Sequence, residues 1–208
     1  MKPLQYFACL FAFGSLTSQA QDLSLWSQDT LDMANTAAQM AYMTPEEKKI
    51  IQLINLARLN GKVFLTRVAM PYVKANDKDD DEFVEGLYTD LRNTQSMHLL
   101  KPIETLHKSA SHHALDMGTK GGLGHDSSDG TTFTMRIQKF HKPVTVSENC
   151  AYGYSDAVSN VMEMLIDEGV TDRTHRHNIL GKTFHHVGVS IKPHKMMDFN
   201  CVVDFSVE

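Results

Sequence analysis

Two short stretches near the end of the chain, HVGVSIK (residues 186–192) and NCVVDFS (200–206), constrain the fold more than any other feature. Val187, Val189 and Ile191 fall on one side of the first, and Cys201, Val203 and Phe205 on one side of the second. A period of two rich in branched residues predicts strands with one buried face. PHKMMDF alone separates the two, so they are expected to form an antiparallel hairpin. A third strand is expected within VTVSENCAYG.

Upstream the periodicity is helical. TPEEKKIIQLINLARLN offers Thr44 as a cap, Pro45 for the first turn, Glu47 to complete a capping box, and Ile50, Ile51, Ile54 and Leu56 as an apolar face. Helical character is expected to continue through KVFLTRVAMPYV, and a further helical piece to precede the cap in LDMANTAAQMAYM. IETLHKSASHHALDMGTK sets Leu106, Ala110, His113 and Met117 on one stripe, which turns His113 inward as a hydrogen-bonded core residue and leaves His107 and His112 at the surface. In SDAVSNVMEMLIDEG, Val158, Met162, Leu165 and Ile166 form the buried side and Gly169 is the expected stop. Helices first and strands late, without regular alternation, predict an α+β domain and not a doubly wound parallel sheet.

The first twenty residues carry Lys2, an apolar run from Leu4 to Leu16, and Ser18, Gln19, Ala20 at the end, the pattern of a cleavable secretory leader. The organisation that follows is a signal peptide over 1–20, an N-terminal arm over 21–43 and one domain over 44–208, secreted or periplasmic and not membrane-spanning. Cys9 lacks the leucine and small residues in the places before it that a lipid-attachment site wants, and only a few apolar residues precede it. Cys150 and Cys201 remain after processing, an even pair in an oxidising compartment, and a disulfide between the SEN strand and the C-terminal strand is expected. A net charge of −5 without a basic stripe gives no electrostatic footprint for nucleic acid. Asp77, Asp79 and Asp81 alternate within KANDKDDDEF, but the glycine and distal glutamate of a helix-loop-helix calcium loop are missing, so the run reads as a solvated loop.

Nucleophile elbows, phosphate loops, HExxH and paired CxxC motifs do not occur. What remains is His125 in GHDSSDG, Glu148 in SENCAYG, Asp167 and Glu168 in MLIDEG, and His175 in RTHRHNIL. Neutral imidazoles bind zinc or copper, and carboxylates either complete such a shell or position what it binds. On the residues alone, hydrogen-bonded packing at turns is the reading of His125 and His175 to be preferred over a ligand role. His177, His185 and His186 cannot all face one cleft with His175 and read as bystanders.

Taken in order, EEKKIIQLINLARLN, HALDMGTKGGLGHDSSDGTTFTMRI, VSENCAYGYS, DRTHRHNIL, HHVGVSI and VVDFS resemble the CAP superfamily of cysteine-rich secretory proteins, antigen 5 and plant pathogenesis-related proteins, and more closely its short bacterial SCP-like members. The resemblance implies a three-layer α-β-α sandwich around a small central antiparallel sheet, with a cleft where two histidines and two acids meet. It implies His125 as the first cleft histidine, Glu148 as the acid of the family's GEN motif and His175 as the second histidine. Ser147 and Thr174 stand where the family has glycine. The second acid is Asp167 or Glu168, with Asp167 preferred because it falls near the helix end, three residues after Met164.

Three functions follow as expectations. The first is a secreted or periplasmic protein whose cleft binds zinc or another divalent metal through His125 and His175 and holds a small-molecule, lipid or envelope ligand. The second is a metal-assisted hydrolase, in which Glu148 and Asp167 serve catalysis and Glu148 takes the proton of a water activated by the metal. The third is a cell-envelope interaction module with a vestigial cleft, favoured by the bulk of Ser147 and Thr174.

Overall fold

The computed structural model describes residues 26–78, 82–142, 145–170 and 172–208. The leader, the cut after Ala20 and the middle of the acidic run lie outside them. Nine α-helices and four strands follow in the order α1 (Gln28–Ala34), α2 (Pro45–Leu59), α3 (Gly61–Phe64), α4 (Met70–Ala75), α5 (Glu82–Asn93), β1 (Lys101–Pro102), α6 (Glu104–Lys120), α7 (Phe133–Phe140), β2 (Val146–Tyr152), α8 (Ala157–Ile166), α9 (Thr174–Leu180), β3 (His186–His194) and β4 (Asp198–Ser206), among the described residues. A π-helical turn over Leu65–Ala69 joins α3 to α4.

The capping box at the start of α2 forms as expected, and it does more than close a helix end. Glu47 is buried; its Oε2 accepts from the Thr44 N–H at 2.8 Å while its Oε1 accepts from the Ile191 N–H at 2.9 Å. One side chain therefore caps α2 and ties it to β3. The helical piece expected over 31–43 is shorter and earlier: α1 ends at Ala34, and turns lead to Thr44. Trp26, Ala34, Ala37 and Met43 are buried in the main core with α2.

The sheet has the order β1-β3-β4-β2. The hairpin β3–β4 is antiparallel, and its strands run further than the alternation marks, through His194 and from Asp198, which leaves only Lys195–Met197 as the turn. β2 pairs antiparallel with β4, whereas the two-residue β1 runs parallel to β3, so the sheet is mixed at one edge. Cys201, Val203 and Phe205 face the core built with α2 and α8, while Val202 and Cys150 face α6 through Ala110 and Ala114. Helices thus cover both faces, and the α+β, three-layer expectation holds. The α6 layer comes very close: a Cβ on Gly188 would lie 2.2 Å from the His107 N, and one on Gly118 2.2 Å from the Pro193 O. Glycine is needed at both contacts because backbone meets backbone there.

Two expectations are corrected by this arrangement. His107 is buried and not at the surface, with Nδ1 2.7 Å from the Val189 O, because α6 lies flat on β3 and turns that edge inward. Cys150 and Cys201 are both free. The register explains why: Cys150 pairs with Val202 and Cys201 with Ala151, so the two side chains leave the sheet on opposite faces. No side-chain rotation bridges them. Alkylation of the denatured, unreduced protein is accordingly expected to label both residues, and a disulfide-linked peptide containing the pair would show the register to be wrong.

Candidate functional site: two histidine–carboxylate pairs astride an edge strand

Strand β2 is an edge of the sheet, and the candidate residues gather along it from both faces. On the α6 face Glu148 projects from β2 and is 5% exposed. Its Oε1 lies 3.0 Å from Nδ1 of His125, and its Oε2 accepts from Nη2 of Arg136. His125 itself is presented by the loop between α6 and α7. Gly124 takes positive φ, its N–H donates to the Tyr152 hydroxyl at 2.8 Å, and the His125 carbonyl accepts from Nη1 of Arg136 at 2.6 Å. Ser128 anchors the far side of the loop to both oxygens of Asp116, at 2.7 and 2.6 Å. Arg136 from α7 therefore holds both the backbone of the histidine and the carboxylate that orients its ring.

Burial alone would push Glu148 up, but the hydrogen bond from His125 and the charges of Arg136 and His113 outweigh it and hold the carboxyl below its usual range. That same hydrogen bond raises His125 above the ordinary imidazole value. Directly opposite Glu148 in the ladder stands Asp204, fully buried, with neither carboxyl oxygen in a well-formed hydrogen bond among the described residues. Burial, and then the Glu148 charge, hold Asp204 well above the carboxylate range, so it is a neutral acid beside an ionised one.

The second pair sits on the other face. α8 does not run to Gly169: it ends at Ile166, and Asp167 takes a left-handed φ of 58°, a conformation Asp tolerates better than most residues. The turn aims the Asp167 side chain at the start of α9, where Oδ2 accepts from the Arg176 N–H at 3.2 Å and Oδ1 lies 2.8 Å from Nδ1 of His175. The His175 contact is a close electrostatic one rather than an aligned hydrogen bond, and Oδ1 has no hydrogen-bond partner among the described residues. α9 has no side-chain cap from its own Arg173, and Asp167 supplies one from the neighbouring helix. Arg176 locks the two helices together by donating to the Leu165, Ile166 and Phe83 carbonyls and to Asp90. Asn149, between Glu148 and Cys150 on β2, donates to the His175 carbonyl at 3.0 Å and accepts from Asn178 at 2.7 Å. Glu168 is turned away and pairs with Lys78 at 2.7 Å.

Beside the second pair, a cleft of about 260 Å³ is lined by residues that include Cys150, Tyr152, Met164, Asp167, His175 and Met197, and by neither His125 nor Glu148. His125 adjoins it, with Nδ1 3.8 Å from the Cys150 Sγ. Both candidate histidines keep Nδ1 against a buried carboxylate, and neither Nε2 has a hydrogen-bond partner among the described residues. Ser147 and Thr174 are not among the residues at positive φ, so neither position needs glycine for its backbone conformation. His177 is exposed on α9, and His185 stacks edge-on against His98.

A second donor group lies deeper. His113, Glu148 and Cys150 place ligand atoms within 4.8 Å of one another and are able to hold a metal. Two of the three are committed elsewhere: Nε2 of His113 lies 2.9 Å from the Gly124 O, and both Glu148 oxygens are engaged. His113 is inward-facing as expected, with burial first among the causes that lower it below the ordinary imidazole value. Its place within 3.9 Å of Glu148 Oε1 escapes a reading of the apolar stripe alone. Arg136, between Met135 and Ile137, escapes it too, because a lone arginine in a short helix does not show in sequence that it is buried against a carboxylate.

The α-β-α sandwich is the fold that the resemblance to SCP-like domains implies. The model of CAP, the cysteine-rich secretory protein family, matches residues 85–205, and the chain belongs to that family. Similar solved structures include an extracellular SCP-domain protein of Bacillus anthracis, 20% identical over 80% of this chain and 44% of that one, with a TM-score of 0.49. An outer surface protein of Borrelia burgdorferi is 22% identical over 62% of this chain and 94% of its own, with a TM-score of 0.46. Venom allergen-like protein 4 of Schistosoma mansoni is 11% identical over 79% and 89%, with a TM-score of 0.47. The chain spans less than half the length of the Bacillus protein. No curated protein matches it. Among the described residues no helix is long and apolar enough to cross a membrane.

Proposed function

We propose that this is an exported CAP-domain binding protein whose cleft takes zinc or a similar divalent ion through Nε2 of His125 and Nε2 of His175, and which uses that site to hold a small extracellular or envelope ligand. The carrying observation is that each ring presents Nδ1 to a buried carboxylate, at 3.0 and 2.8 Å. With the carboxylate ionised, Nδ1 carries the proton and Nε2 is left as a lone-pair donor, the orientation found at histidine metal ligands. A bound divalent ion supplies a positive centre that attracts an anionic or polar ligand group. The chain's own residues do the rest: Arg136, Glu148, Asp167 and Arg176 hold the rings, and Tyr152, Met164 and Met197 shape an apolar wall. The leader supports export. A cleft of about 260 Å³ suits a small ligand, or the head of a lipid, better than a whole acyl chain.

The surroundings of Glu148 support the binding reading over the hydrolase alternative. Both oxygens of Glu148 are engaged, by Arg136 and His125, and a carboxyl held below its usual range is a weak proton acceptor. Glu148 is a positioning residue in this reading, and so is Asp167.

Calorimetric titration of the metal-free protein with zinc tests the site. His125→Ala and His175→Ala should each weaken binding by about 100-fold or more, and Glu148→Gln or Asp167→Asn by about 10–100-fold. If both histidine variants bind as the parent does, the site is misplaced. Protons compete with the metal for Nε2, so affinity falls as pH drops. Because His125 is raised above about 6.5, its loss of affinity starts above that value. Without metal the sign reverses for stability: the contribution of His125 is full below about 6.5 and is lost as pH rises through its folded value.

A further inference from the structure

We infer that His194 is a pH-sensitive clasp on the cleft: neutral, it pins the β3–β4 turn and the Met197 wall beside the His125 loop, and protonated, it lets that turn go. The clasp is made by hydrogen bonds of this chain alone; that its release frees a ligand rests on the binding reading above. His194 ends β3 and is 4% exposed. Its Nδ1 accepts from two backbone N–H groups, those of Met196 at 3.2 Å and Met197 at 3.1 Å, and its Nε2 donates to the Gly122 carbonyl at 2.8 Å. A backbone N–H only donates and a carbonyl only accepts, so these three partners fix a neutral ring with its proton on Nε2.

That one ring joins three pieces of the cleft and its surroundings. Met197 lines the cleft. Gly122 belongs to the loop that presents His125. Tyr152, also in the cleft wall, stands edge-on to the ring with centroids 5.6 Å apart, and its hydroxyl accepts from the Gly124 N–H at 2.8 Å. Little else holds the tip of the turn. The side chains of Met196 and Met197 are largely in solvent, and Asp198, opposite His194 in the ladder, takes a left-handed φ of 60° that costs the backbone some strain.

Protonation turns Nδ1 from an acceptor into a donor, and a donor facing two donors loses both bonds. The charged ring is then buried with the Gly122 carbonyl as its remaining partner. The charged and titratable groups around it are Asp198 across the ladder, Lys195 in the turn, Lys120 at the end of α6 and Tyr152 from β2, and among the described residues no carboxylate pairs with the ring. Burial holds the Tyr152 hydroxyl well above the ordinary phenol range, so it stays neutral throughout. The Lys195 N–H keeps its own bond to the Gly118 carbonyl at 2.9 Å, which confines the release to the tip while the hairpin stays docked on α6. The sign is opposite to that of His125, whose bond to Glu148 favours the charged ring.

NMR of the metal-free protein tests the clasp between about pH 8 and about pH 5, the span in which an ordinary imidazole charges. Protection of the Met196 and Met197 amides against hydrogen exchange, corrected for the pH dependence of the intrinsic rate, should fall by roughly 10–100-fold as the His194 ring charges. The Met197 methyl resonance should move with the same midpoint. Val203, in the middle of the ladder, should stay protected, which separates opening of the tip from acid unfolding. His194→Asn, whose side-chain oxygen accepts near the place of Nδ1 but takes no charge, should keep both amides protected across the range; if that variant does not fold, the ring and amide midpoints of the parent decide. A ring that charges while both amides stay protected, a ring that remains neutral throughout, an equal loss at Val203, or the same loss in His194→Asn overturns the inference. No metal is present in these measurements, so a failed zinc titration beside an intact pH response removes the binding reading and leaves the clasp.

Discussion

Replacing Arg136 with methionine is expected to lower the stability of the protein by about 3–5 kcal/mol in urea denaturation, the usual result of stripping one partner from a buried ion pair. Arg136 is fully buried, and it supplies the cation facing Glu148 and a hydrogen bond to the His125 carbonyl. Methionine fills much of the same space, so the loss is electrostatic rather than a cavity. What remains is a carboxylate 5% exposed, with a second carboxyl, Asp204, directly opposite it and a half-exposed imidazole as the nearest cation. The double variant Arg136→Met, Glu148→Gln should recover a large part of the loss, since no buried charge is then left alone. Acid should narrow the gap between Arg136→Met and the parent. In the parent, Glu148 lies below its usual value, so its contribution is present above about 4.3 and is lost as pH falls through the folded value. A single variant within about 1 kcal/mol of the parent at neutral pH would show that Arg136 is not what neutralises Glu148. Loss of zinc affinity should accompany the loss of stability, because the arginine holds both ends of the His125 arrangement.

The contrast between Arg136 and Glu47 shows where a sequence reading reaches and where it stops. Thr44 and Glu47 are three residues apart, the spacing is local chemistry, and the cap was legible as written. The alternation in β3 and β4 and the apolar stripe of α6 were legible for the same reason. α5 and α7 were not, since α5 follows an acidic run and α7 buries only Arg136 and Ile137. The cysteines mark the limit most clearly. Their parity and compartment argued for a bridge, but the face on which each emerges depends on the β2–β4 register, and a shift of one residue exchanges the faces. At the site, His125, Glu148 and His175 stood out through ordered motifs. Arg136 and Asp204 reach Glu148 from elements distant in sequence, while Asn149 and Arg176 stand beside Glu148 and His175 in the same motifs but show what they hold only once β2, α8 and α9 are packed together. Asp167 was distinguishable from Glu168 by its position at the helix end, but the left-handed turn that aims it at α9 shows only in three dimensions.

Arg58→Met is expected to cost about 3 kcal/mol and to disturb His175 without touching it. Arg58 lies in α2, is fully buried, and has no carboxylate among its hydrogen-bond partners in the described residues. Its guanidinium donates to four backbone carbonyls, those of His98, Ile179, Gly181 and Phe184, at 2.8, 2.7, 2.7 and 3.2 Å. Burial lowers it to about 10, so it stays charged at neutral pH. Charged hydrogen bonds are each worth roughly 1.5–3 kcal/mol net, and relief from burying the cation offsets part of their loss, which is why the expected change is smaller than the sum of four. Three of those carbonyls belong to the end of α9 and the turn leading to β3, so the arginine sets where α9 lies against α2. Arg58→Lys should recover less than half of the stability, because an ammonium is unable to serve four divergent carbonyls with the planar fork of a guanidinium. Zinc titration separates this role from generic destabilisation. Under conditions where Arg58→Met is fully folded, its affinity should still fall, since His175 rides on α9, whereas a core variant of similar stability loss in the π-helical turn after α3, such as Leu65→Ala, should bind as the parent does. Equal affinities for Arg58→Met and the parent would show that Asp167 and Asn149 suffice to place His175 without the anchor at the other end of its helix.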